Sequence, residues 1–175
     1  MRPYKKDQSN LAKIWKGLAT SDTNRTFFGQ IIQVISRFTW QLPNTLIGLT
    51  VSLVANILGR VNFVDHHGGA TVINYGDKRF GAFTIGSYII GDITIQANAD
   101  DILFQHEYGH YLQSETVGPA YLYVFALPSL FSAIKNGHNG HKAFYTEIDS
   151  NRRAYEYWKR TIMNYEGWNN ESNPV

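Results

Sequence analysis

A chain of 175 residues, 43% hydrophobic and 17% charged, has the material for one hydrophobic core, and its composition excludes a disordered polymer. With no cysteine it builds neither a disulfide framework nor a thiolate nucleophile, so a transition metal would have to be held by His, Asp or Glu. The net charge of +2 is unevenly spread: residues 1–60 carry eight Lys or Arg against two acids, residues 61–134 two against seven. Such a basic front segment suits an anionic lipid surface or an acidic partner, or is a solvated extension. It lacks a stacking platform or a nucleic-acid motif, so no nucleic-acid partner is expected.

In chain order, no apolar run follows the basic N-terminal residues, so a secretory signal is not expected and the compartment is cytoplasmic or reached by a specialised route. Ser9 is placed to cap a helix over 10–19, with Leu11, Ile14, Trp15 and Leu18 on one face. "TSDTN" breaks it, and Asn24 is placed to cap a second helix through Arg37 with Phe27, Phe28, Ile31, Ile32 and Ile35 on a broad apolar face. Pro43 opens a third helix that ends near Gly59. The uncharged runs 38–59 and 116–134 reach spanning length, but Pro, Gly and polar residues interrupt both. They read as buried core helices, with membrane contact the secondary alternative.

From 61 to 96 the chain turns to Gly, Val, Ile, Tyr and Thr, which predicts strands at 61–65, 70–74, 80–84 and 88–95. Asp100 or Asp101 then caps a helix over 102–114, and an apolar helical stretch covers 120–134. "KNGHNGHK" reads as a flexible polar loop, 143–165 as a last helix and 168–175 as a loose tail. The expected class is α+β: N-terminal helices, a small mixed sheet, and two later helices.

The helix over 102–114 contains "HEYGH". Residues four apart share a helix face, so His106 and His110 aim two imidazoles at one point, with Glu107 beside them. A tetrahedral zinc site of the catalytic kind needs such a pair, a third protein ligand, and a carboxylate that reaches a metal-activated water without ligating. The bland alternative is two histidines on a structural helix. Glu147, on the last helix, is the best third ligand; Asn151, four residues on, can accept from a ligating histidine's free N–H. His141, just before that helix, is either a further ligand or a donor to an oxyanion. Asp149 should face solvent or a salt bridge. His66 and His67 are adjacent on a strand, point to opposite faces, and are poorly placed to share an ion.

"HEYGH" with "TEIDSN" resembles the gluzincin zinc metallopeptidases, which carry HExxH on one helix and a glutamate ligand on a later one. The second segment is similar to the E-x-x-A-D pattern of the prenyl-protein and heat-shock membrane metallopeptidases, with Ser150 and Asn151 in place of Ala and Asp. Asn keeps a hydrogen bond there but loses the charge. From about Thr39 onward, "RFTWQLPNTLIG", "GGATVIN", "GAFTIGSYIIGD", "HEYGHYLQSETVGPAYLYVFALPSL" and "HKAFYTEIDSN" resemble a little-characterised bacterial zincin-like domain. That domain occurs alone or at the C-termini of YD-repeat (Rhs-type) proteins. The resemblance implies a metallopeptidase-like fold, a His six positions before the ligand Glu, matched by His141 and Glu147, and a link to toxins or secreted proteins.

On this reading residues 1–38 form a basic helical extension, 39–167 the zincin-like domain and 168–175 the tail. One Zn²⁺ per chain is held by His106, His110 and Glu147; Glu107 is the general base, His141 steadies the oxyanion and Asn151 orients a ligand. A peptide or protein substrate adds to a strand edge at Phe83, Thr84 and Gly86. The competing functions are a retired, metal-bound binding module and a membrane-associated effector. The basic extension could also lie over the cleft and inhibit it.

Overall fold

The structure, a computed structural model, describes residues 8–76 and 80–175, the side chains of residues 8 and 136–139 excepted. The first seven residues of the basic segment and the turn residues 77–79 lie outside the described residues. Four strands, β1 (Val61–His67), β2 (Ala70–Tyr75), β3 (Ala82–Ile85) and β4 (Tyr88–Gly91), make one mixed sheet in the order β1-β2-β4-β3. Two antiparallel hairpins meet along a parallel β2–β4 seam. The first turns on Gly68 and Gly69, whose φ values of 55° and 88° are the left-handed ones a two-residue turn requires.

Six α-helices accompany the sheet among the described residues: α1 (Gln8–Lys16), α2 (Phe27–Arg37), α3 (Leu42–Ile57), α4 (Ile102–Val117), α5 (Leu127–Lys142) and α6 (Tyr145–Thr161), with a 3-10 turn (Gly118–Ala120) and a π-helical turn (Leu122–Ala126) between α4 and α5. The α+β class expected from the sequence is what the chain adopts. Strand alternation divides the core in two. Val72 and Ile89 join Phe104, Tyr108 and Tyr111 of α4 and Ala154 and Trp158 of α6. Ile73, Tyr88 and Ile90 on the other face join Ile14 of α1 and Leu49 and Ala55 of α3. The central strands β2 and β4 are therefore buried on both faces, whereas β3 is an edge strand lying beside α4.

Several local expectations are corrected. Thr26, not Asn24, caps α2, its hydroxyl accepting from the Gly29 N–H; Asn24 is held in a turn, its N–H donating to Asp22. β4 stops at Gly91 because the Asp92 carboxylate accepts from the N–H groups of Phe80, Gly81 and Thr94, a side-chain alternative to the ladder. α4 runs on to Val117, where Gly118 with φ 56° ends it. "KNGHNGHK" is not a loop: α5 continues through it to Lys142, against the weak helix propensity of its Gly and Asn.

The proposed division at residue 38 does not coincide with a gap in packing. Ile14 is fully buried, and the Tyr88 hydroxyl donates to its carbonyl at 3.0 Å. Arg37, also fully buried, donates to the carbonyls of Leu18, Thr20 and Gly69. Nor is the C-terminal segment loose. Asn173 is 5% exposed and donates to the Ile102 carbonyl, while Pro174 accepts from Asn151, so the tail is tied to both α4 and α6.

The buried-core reading of 38–59 and 116–134 is also corrected. In α3 the buried residues include Asn44, Thr45, Ser52 and Asn56, while Leu46, Ile47, Val54 and Ile57 are exposed. Leu127, Leu130, Phe131 and Ile134 of α5 are exposed too. α3 joins the core through Leu49 and Ala55, and both α2 and α3 also attach through polar groups: Asn44 donates to Gly118 O, and Gln33 to the Tyr111 hydroxyl and Gly68 O.

Candidate metal centre

α4 is packed on several sides at once, so its polar side chains lie inside the protein and need partners. His106 and His110, one turn apart, have ring centroids 4.8 Å apart. Glu147, in the first turn of α6 and 2% exposed, places Oε2 3.0 Å from His106 Nε2 and 3.2 Å from His110 Nε2. A ligand atom from each of the three lies within 4.8 Å of the other two. His141, at the end of α5, brings its Nε2 to 3.6 Å from the same oxygen. The other Glu147 oxygen accepts from the Thr146 hydroxyl at 2.7 Å.

Two amides set the imidazole tautomers. Asn151 donates through Nδ2 to Pro174 O, which turns its Oδ1 toward His106 Nδ1 at 2.8 Å. Gln113 donates through Nε2 to Thr146 O and to Asp149, which turns its Oε1 toward His110 Nδ1, also at 2.8 Å. Both oxygens are acceptors only, so each Nδ1 carries the proton and each neutral ring faces Glu147 with an Nε2 lone pair. Lone pairs set against a buried carboxylate demand a cation or additional protons. The donor set of two imidazole nitrogens and a carboxylate oxygen fits a metal ion.

Without an ion, protons fill the gap. Burial opposes a charge on His106, but its hydrogen bond to Glu147 and the nearby Glu107 charge outweigh this and push it up to about 9. Burial likewise opposes ionisation of Glu147, yet the imidazoles of His106 and His110 hold its carboxyl far below the ordinary range.

Glu107 is 4% exposed; its Oε2 accepts from the Thr84 hydroxyl at 2.7 Å. Tyr121 in turn donates to the Thr84 carbonyl, fixing the end of β3. A cleft of about 400 Å³ opens at the centre, walled by Leu103, His106, His141, Glu147, Asn151 and Asn173 among others. Glu107, Phe83, Thr84 and Gly86 are not among its lining residues. Phe83 and Thr84 do lie on the sheet edge next to α4, Phe83 39% exposed and Thr84 buried. Gly86 is a different case. It follows β3 in a turn, and a Cβ there would stand 2.6 Å from the Thr45 nitrogen of α3, so it serves close packing rather than a substrate edge.

The described residues 8–38 are also absent from the cleft wall, so they do not cover it. His66 and His67 form no second centre: His67 packs edge-on against Phe104 and Trp158, and burial keeps both rings below their usual range.

Gln113 is a site residue that pattern reading passed over. Its only sequence signal is a position three after His110, on the same helix face. Asp149, expected in a salt bridge, pairs with Arg152 and Arg153 at 2.6 Å each and completes a chain from His110 through Gln113. Gln113→Ala is expected to weaken affinity for an added divalent metal by roughly 10- to 100-fold, read by competition with a chromophoric chelator. An unchanged affinity would mean that the chain does not orient His110.

Comparison with family models, with characterised proteins and with solved structures finds no match.

Proposed function

We propose that this chain is a zinc-dependent endopeptidase of the gluzincin kind, built on a zincin-like fold. The observation that carries the reading is the convergence of His106, His110 and Glu147, with Glu107 next to the first histidine and held on Thr84. An all-oxygen set would favour magnesium or calcium; two imidazoles and one carboxylate favour zinc. When bound, zinc would acidify a water and polarise a peptide carbonyl. The rest is work for the chain's own groups. Glu107 takes the proton of the attacking water and hands it to the leaving nitrogen. His141, on the cleft wall, donates to the developing oxyanion. An extended peptide aligns along the β3 edge through backbone hydrogen bonds.

One observation favours a second reading, a metal-holding binding module: Glu107 is tied to Thr84 and lies off the cleft wall. Zinc content together with cleavage of an unfolded protein separates the two. Zinc with turnover supports the peptidase, zinc without it the module, and no zinc after reconstitution defeats both.

Zinc binding must displace the proton that Glu147 keeps on His106. Apparent affinity is therefore expected to rise about tenfold per pH unit up to about 9, then level off. In the metal-free chain the sign is opposite. A raised folded-state pKa contributes stability that is complete below 6.5 and lost as pH rises through about 9. Melting curves with chelator and with zinc should diverge with pH over that interval; parallel curves would show that His106 carries no such proton.

A further inference from the structure

We propose that the outward face of α2, α3 and α5 docks on an anionic lipid bilayer, lying in the interface rather than crossing it. This inference does not rest on the peptidase reading.

α2 and α3 are inside out. Every exposed residue of α2 is apolar: Phe27, Phe28, Ile31, Ile32 and Ile35. The same holds for every exposed residue of α3 except Thr50. Their buried sides hold Gln33, Ser36 and Arg37 on α2 and, on α3, Asn44, Thr45, Ser52 and Asn56 beside Gly48, Leu49 and Ala55. Helices in water place these groups the other way round, whereas helices facing hydrocarbon turn polar groups inward. α5 adds Leu127, Leu130, Phe131 and Ile134, with Tyr123 and Val124 just before it. α3 packs on the turn at Gly118 that leads toward α5: the Gly118 carbonyl accepts from Asn44, and Gly118 packs on Trp40, between α2 and α3.

Charge favours a bilayer with anionic lipid. The face is drawn from two stretches, 23–64 and 116–146, that contain no Asp or Glu. Their cations include exposed Arg60 and Lys135, and α1 beside them ends in exposed Lys13 and Lys16. Exposed cations and half-exposed Trp15 and Trp40 accompany the apolar residues, a composition suited to a lipid headgroup layer. Length argues for lying flat. No single helix among the described residues is long and apolar enough to cross a membrane. One pair, 102–120 with 122–135, passes by length and composition, but it bends by 118° and its first half is the enclosed α4.

The test floats the full chain with vesicles of phosphatidylcholine, with and without phosphatidylserine, some carrying brominated acyl chains. The expected result is co-flotation with the anionic vesicles and bromine quenching of tryptophan fluorescence that shrinks in Trp40→Phe. Combined Phe28→Ser, Phe131→Ser and Ile134→Ser should lower partitioning by roughly a hundredfold or more, because each removes a large inserted side chain. Quenching of the wild-type chain answers the question even if that variant fails to fold. Three results would overturn the proposal: no flotation, flotation without quenching (charge adsorption alone), or a stable dimer that the triple variant dissolves and that does not bind vesicles.

Discussion

Glu107→Gln is expected to keep its metal and lose cleavage of an unfolded protein by about a thousandfold or more. Glutamine has nearly the shape of glutamate and can still accept from the Thr84 hydroxyl, so β3 and α4 should stay in place. His106, His110 and Glu147, the group that could hold the metal, are untouched. What disappears is the carboxylate proposed to take a proton from water and return it, a contribution of about 10²–10⁴ in rate. Metal content by mass spectrometry and turnover must be measured on the same preparation. A variant that keeps both metal and full activity would remove Glu107 from the chemistry. One that loses the metal would show that Glu107 supports the ligand helix instead.

Gly109→Ala is expected to damage both the fold and the centre. A Cβ at Gly109 falls deep inside contact distance of the Ser150 carbonyl and hydroxyl, on the neighbouring helix α6. The carbonyl belongs to the backbone and cannot swing aside, and the Ser150 hydroxyl is engaged, donating to His106 O at 2.8 Å. Alanine gains about 1 kcal/mol over glycine in a helix interior. Overpacking costs about 1–3 kcal/mol, and a clash with backbone that cannot swing aside belongs at the upper end, so the clash wins by about 2 kcal/mol. For a chain of this size that is a Tm lowered by about 4–8 °C. Ser150 lies one turn beyond Glu147, so moving α6 withdraws the third ligand, and metal affinity should fall in the same variant. A more stable Gly109→Ala protein would mean that the two helices are not in such close contact.

Reading outward from these two positions shows where local pattern was sufficient. The His106/His110 pair was legible because a four-residue spacing on any helix points two side chains the same way. So were the β1–β2 hairpin, marked by its Gly pair between apolar runs, and the opening of α3 at Pro43. Asn151 was legible for the same reason as the histidines, once Glu147 had been picked as a ligand. These features depend on periodicity and turn chemistry, which act over a few residues.

The rest depends on what lies across the chain. Gln113 looks like any helical glutamine until Thr146 and Asp149 arrive from α6 to orient its amide. Thr84 reads as a strand residue until α4 brings Glu107 to its hydroxyl. α5 carries through a Gly- and Asn-rich stretch that local propensity would break, and the tail is tied down because Asn151 and Ile102 offer it partners. Hardest of all to foresee was the outward turn of the apolar faces of α2 and α3. The sequence by itself determined that an apolar stripe exists on α2, how wide it is, and that α3 is largely apolar. Which way they face was decided only by the tertiary structure, where Gln33, Arg37 and Asn44 bond groups across the chain and Leu49 and Ala55 enter the core, and an unmet buried polar group costs more than an exposed leucine.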